Sequence, residues 1–138
     1  MTIDKDILQA LQQKVIAAVA ASTFPTLAIK FADVAFTIPN NQKWLEIIHI
    51  PNNPSDVTWG DEEFHRGIMR LVLHWPNNGA GAYAPLELMA SISASFTKSE
   101  KIGGLLRLLN KPKSMSTVNN GFENWYPVTV EYSVFSLA

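Results

Sequence analysis

Two stretches of the chain place apolar residues at every second position. Within HRGIMRLVLHW, Met69, Leu71, Leu73 and Trp75 fall on one side and Arg66, Ile68, Arg70, Val72 and His74 on the other, which predicts a strand with one wholly apolar face. In WYPVTVEYSVF, Tyr126, Val128, Val130, Tyr132 and Val134 alternate with Thr129, Glu131 and Ser133, and the first set is expected to face inward. Two other stretches have the helical period. Ile7, Leu8, Leu11, Val15, Ala18 and Val19 recur along residues 4 to 21 with Gln12, Gln13 and Lys14 between them, an amphipathic helix for which Thr2 or Asp4 can serve as cap. Leu88, Met89, Ile92 and Phe96 predict a second helix from about Ala82 to Thr97.

The intervening segments are shorter or less regular. TFPTLAIKFADVAFTIP mixes prolines with β-branched and aromatic residues and predicts an extended crossing with one short strand. KWLEIIHI reads as a strand, LLRLL as a further one, and KSMSTV as a weaker candidate. Asn-Asn pairs at 40–41, 52–53, 77–78 and 119–120 mark turns, because Asn tolerates left-handed backbone angles. Residues 52–63, NNPSDVTWGDEE, have no period and exceed the usual two to five residues of a hairpin connection, so they read as a long loop or hairpin arm. The order of helix, strands, helix, strands with short connections predicts a single domain, residues 1–138, of the α+β class: a mainly antiparallel sheet with two helices packed on one face.

NNGAGAY, between the first alternating strand and the second helix, raises the question of a phosphate site, since strand, glycine turn and helix N-terminus are its usual parts. No third glycine follows Gly79 and Gly81, Pro85 donates no N–H, and the first lysine after the turn is Lys98. Neither the dinucleotide nor the Walker pattern is present, and the stretch is a turn that aims a helix.

Composition narrows the partners. Charged residues make up 17% of the chain, below the usual ~25%, while 47% are hydrophobic. Surface that is neither charged nor buried is thus expected to take part in self-association or docking. The formal net charge of −1 gives no basic excess for tight nucleic-acid binding. The chain has no cysteine, which removes disulfides, thiolate catalysis and cysteine-bound zinc. The N-terminal MTIDKDILQALQQ lacks the basic region and apolar core of a signal peptide, and VIAAVAA is too short to span a bilayer. A protein made and used inside a cell, without membrane insertion, is expected.

No catalytic constellation stands out. DEEFH, residues 61–65, gathers three carboxylates beside a histidine, but in a loop setting and without the helical H-E-x-x-H spacing, so a solvated charged turn accounts for it. His49 and His74 lie on predicted strands and are placed to approach each other across a sheet; without a third ligand or base they read as sheet residues. The serines of SISASF sit on a helix between core positions, outside any nucleophile motif. Trp44 and Trp75 read as core filling, whereas Trp59, in its polar loop, is a candidate contact residue. No cofactor-binding, catalytic or metal-ligating residue is predicted.

FPTLAIKFADVAFTIP, KWLEIIHIP, HRGIMRLVLHWP with NGAGAYAPLELMASISASF, and WYPVTVEYSV occur in that order from about Ile3 to Phe135. This ordered set resembles the tail-terminator-like proteins of long-tailed phages and prophages. Its most specific element is the Arg66-Gly67 strand ending at Pro76, then Gly79 and Gly81, a helix closing at Phe96, and a late Trp-Tyr-x-Val strand. The chain departs from the pattern at Ala90-Ser91, where an acid is expected after Ala, and in the LLNKPKSM passage.

The resemblance implies a structural protein of the virion tail, assembled in the host cytoplasm. As a homo-oligomer, commonly a hexameric ring, it would cap the tail tube, end its polymerisation and offer a surface to the head–tail connector protein. DNA would pass through the ring without specific binding; six copies at −1 each carry −6, so no basic excess opposes its sliding. In that setting Asp56, Trp59, Asp61, Glu62 and Glu63 form the candidate contact loop for a neighbouring subunit or the tail tube protein, with Trp59 as anchor and the acids as rim. Two alternatives stand beside it: a head–tail connector or other minor tail component, and a small enzyme whose site joins His49, His74 and loop carboxylates across subunits.

Overall fold

In the computed structural model, Ile7, Leu11, Val15, Ala18 and Val19 form one buried stripe along helix α1 (Ile3–Ala20). The structure describes residues 3–31, 33–51, 55–56, 62–77, 79, 81–97, 101–102, 106–119 and 121–137. Asp4 therefore lies within the helix rather than capping it, and Thr2 lies outside the described residues. At the other end the Ser22 hydroxyl donates to the Val19 carbonyl at 2.6 Å and accepts from the Phe24 amide at 3.2 Å, which turns the chain out of the helix before Pro25.

The strands are β1 (Ala28–Lys30), β2 (Trp44–Pro51), β3 (Ser55–Asp56), β4 (Glu62–Pro76), β5 (Lys101–Ile102), β6 (Leu106–Leu108), β7 (Lys113–Ser114), β8 (Val118–Asn119) and β9 (Glu123–Leu137). They make one sheet in the order β1-β2-β4-β9-β6-β5, with β3 beside β4 and β7 and β8 beside β9. Its backbone is the antiparallel pair of β4 and β9, each 15 residues long and matched rung for rung from Glu62↔Leu137 to Pro76↔Glu123. The sheet is mixed rather than purely antiparallel, because β1 pairs parallel to β2. The crossing between those strands brings the chain back in the same direction through a turn at Asn40–Asn41, closed by Gln42 N–H to Pro39 C=O at 2.9 Å.

Helix α2 (Tyr83–Ala94) follows the glycine turn, where Gly79 and Gly81 take φ of +79° and +91°. It buries Pro85, Leu88, Met89 and Ile92. Leu88, Met89 and Ile92 join the α1 stripe, Leu45 and Ile47 of β2, the odd-numbered residues 69–75 of β4, and the even-numbered residues 126–134 of β9 in one core. Both helices thus cover the same face of the sheet, as the alternation requires, and the fold is α+β. Burial of each large aliphatic side chain contributes about 1.5–3 kcal/mol.

Candidate functional site

Opposite the helices, the ladder lines up Trp44 of β2, His74 of β4 and Trp125 of β9 in one row. The Trp44 indole lies flat on the His74 imidazole, with centroids 3.7 Å apart and planes 3° from parallel, and Trp125 meets the same ring edge-on at 5.6 Å. His74 Nε2 is 3.1 Å from Glu46 Oε1 and Nδ1 is 3.0 Å from Glu123 Oε1. Each ring nitrogen of His74 thus faces a carboxylate oxygen, and the flat stack on Trp44 fixes the plane of the imidazole between the two acids. Lys30 approaches the cluster as well, 3.7 Å from Glu46.

Burial alone would raise the Glu123 carboxyl. Hydrogen bonds from Trp125 (Nε1–H donating at 2.6 Å) and His74, with the attraction of the His74 charge, outweigh it and hold the group below its ordinary value. His74 is only 6% exposed, and both nitrogens are committed to carboxylates. The arrangement therefore clamps three strands together and leaves no ring nitrogen open to a substrate. A cleft of about 360 Å³ adjoins it, lined by Ile48, Arg70, Val72, Val118, Trp125 and Pro127 among others.

A second knot ties the far end of the core. Tyr132 faces Gly67 across the ladder and hydrogen-bonds His49 of β2 through its hydroxyl. A Cβ at Gly67 would lie 2.7 Å from Tyr132 Cζ and 3.0 Å from the Ile50 carbonyl, so glycine is what lets the phenol cross β4. This accounts for the glycine of the Arg66-Gly67 pair.

Several sequence expectations are corrected. His49 and His74 do not meet: His49 is opposite Met69, and Trp44 is opposite His74. The two histidines are therefore five rungs apart, roughly 17 Å, and on opposite faces of the sheet. Trp75 fills the core as expected, but Trp44 is buried on the other face, against His74 and Phe36. Of the two readings of residues 52–63, long loop or hairpin arm, the described residues fit the hairpin arm. Asp56 pairs with Glu63 in the β3–β4 hairpin, and Glu62 and Glu63 already belong to β4, as do the Phe64 and His65 of DEEFH. Pairing with residues 134–137 of β9 extends that ladder, a contribution no local pattern can reveal. Trp59 and Asp61 lie outside the described residues. Among the described residues no group of three or more potential ligands is placed to hold a metal, and no helix is long and apolar enough to cross a membrane.

The comparisons point one way. A solved structure known only by a sequence identifier matches at 22% identity with a TM-score of 0.80, covering 97% of this chain and 96% of that one. At that identity the likeness shows a shared fold. No curated protein matches. The family model described as phage tail terminator protein matches residues 6–132. That span runs from the first turn of α1 to Tyr132 on the last strand, so this chain belongs to the phage tail terminator family and is a structural protein of the phage tail.

Proposed function

We propose that copies of this chain form a ring that caps the tail tube, ends its polymerisation and offers a surface to the head–tail connector, with DNA passing through without specific binding. The family match over nearly the whole chain carries this reading. The low charged fraction, 17%, supports it, since it leaves uncharged surface for contact between subunits. The hairpin of β3 and β4 is the proposed contact element, with Trp59 as apolar anchor and Asp56, Asp61, Glu62 and Glu63 as its polar rim. Strand β4 runs six residues, 62–67, ahead of Ile68.

Complementation of a phage lacking its terminator tests the reading, with tail length read by electron microscopy and stoichiometry by light scattering. Wild-type chain is expected to give tails of uniform length and a ring in solution. Replacing residues 57–61 by Asn-Gly is expected to leave the monomer folded and abolish both. Tails of unregulated length with the wild-type chain would sink the capping role. Normal rings and tails from the loop variant would show the hairpin to be a bystander.

A further inference from the structure

The sheet has an open edge on each side. Strand β1 pairs only with β2, and β7 and β8 pair only with β9, so beyond each of them no strand follows among the described residues. Residues 113–119 are all exposed, and the Ser116 and Thr117 N–H groups make no backbone hydrogen bond among the described residues. Open edges are ordinarily guarded by charge or proline. Residues 114–122 contain neither, and they expose Met115, Val118 and Phe122. Residues 34–42, in the connection that leaves β1, are likewise uncharged and expose Val34 and Ile38. Bringing these two stretches together strips water from no charged side chain on either of them.

The register sets the two edges level. Ala28 of β1 stands beside Trp44, Trp44 beside His74, His74 beside Trp125, and Trp125 beside Val118 of β8, so one row runs from edge to edge through the His74 clamp. The pairings also fix direction. Strand β1 is parallel to β2, and the β2–β4, β4–β9 and β9–β8 pairs are antiparallel, so β8 runs opposite to β1. Within one copy the two edges are four strand spacings apart, roughly 19 Å along the sheet, with three strands between them. A second copy turned about an axis along the strands keeps its strand directions. Its β1 therefore arrives antiparallel to β8 of the first copy, the more stable of the two pairings.

We propose that the β7–β8 edge of one copy pairs with the β1 edge of the next, so that one sheet passes from copy to copy. This rests on the ring reading above and adds to the hairpin contact a mating surface within the sheet. Unlike edges of identical molecules meet, so the contact is head-to-tail and closes into a ring when the rotation per copy brings the last edge to the first. Backbone groups supply the affinity, as when an extended strand is added to any open sheet edge.

The chain has no cysteine of its own, so cross-linking tests the pairing on the full chain. Ala28→Cys and Val118→Cys are made singly and together, and each is treated with a short bismaleimide that tolerates a slip of one rung but cannot span the sheet within a copy. The double variant is expected to give a ladder of covalent oligomers, and each single variant only monomer on a denaturing gel. Ser116→Pro removes an N–H that the monomer leaves unbonded; it is expected to stay folded by circular dichroism and to fall from the wild-type assembly to the 15.3 kDa monomer in light scattering. Ser116→Ala keeps that N–H and is expected to retain the wild-type mass. Covalent dimers from either single variant would show like edges meeting and overturn the proposal. A double variant of wild-type mass that does not cross-link, or a folded Ser116→Pro of wild-type mass, would overturn it and leave the ring reading intact. A wild-type chain that stays monomeric and leaves tail length unregulated would overturn both readings.

Discussion

The two faces of β4 and β9 are built on different principles. On the helix side, Met69, Leu71 and Leu73 of β4 and Val130 of β9 are fully buried among apolar neighbours, and no polar group on them needs a partner. On the other side, Val72 and His74 are nearly as buried, at 7% and 6%, yet His74 is held there by two carboxylates and two indoles. The first face depends on area removed from water and tolerates many apolar substitutes. The second depends on particular partners three strands apart, and loss of one leaves the others without their counter-charge.

The largest break in that comparison is expected at Val130, 0% exposed at the centre of the apolar face. Val130→Asp places an unpaired charge in the core and is expected to prevent folding, with loss of the cooperative thermal transition. Its neighbour Glu131 points to the other face, and Glu131→Ala is expected to cost no more than about 1 kcal/mol, because its partners Lys113 and Asn110 are at the surface or half-buried. If Glu131→Ala were the worse variant in urea denaturation, the inward register of β9 would be wrong by one residue.

The clamp is tested one step down. His74→Ala removes the donor shared by Glu46 and Glu123 and opens a space under Trp44, an expected loss of about 2–3 kcal/mol. His74→Phe combined with Glu46→Gln and Glu123→Gln keeps a ring under the indole and removes both charges, and it is expected to recover more than half of that loss. Equal destabilisation of the two variants would mean that neither the retained ring nor removal of the unpaired carboxylate charges compensates for the lost hydrogen bonds, and the expected recovery would be refuted.

How much of this was legible in the sequence follows the same division. Leu11 and Val15 on α1, Leu88 and Ile92 on α2, and the alternating sets on β4 and β9 are all buried where their spacing placed them, because periodicity reports directly on a face that meets water on one side only. The clamp was not legible. Glu46, His74 and Glu123 each look like solvated outward residues until the register sets Trp44 beside His74 and His74 beside Trp125. The early start of β4 at Glu62 was hidden for a related reason, since its ladder is supplied by residues at the other end of the chain. Gly67 was visible as part of a pattern, but its cause, the phenol of Tyr132 crossing over it, exists only in three dimensions.

The smallest expected effect distinguishes the faces by pH. On the outer face Glu123 is held below its ordinary carboxyl value of 4.5. A group whose value is lowered by folding binds its proton more readily when the chain is unfolded. Its stabilising contribution is therefore complete above 4.5 and is lost as pH falls through that value and on through the lower folded one. The melting temperature of the wild-type chain is expected to decline as pH falls through 4.5 and below, and part of that decline belongs to the clamp. Glu123→Gln keeps an acceptor for Trp125 and His74 but does not titrate. It is expected to melt lower than wild type at neutral pH and to show a shallower acid limb, so that the two curves converge as pH falls. Parallel curves, offset by a constant amount through the acid range, would show that the Glu123 charge does not sense folding, and the outer face would then be held by its aromatic stack and hydrogen bonds without a contribution from charge.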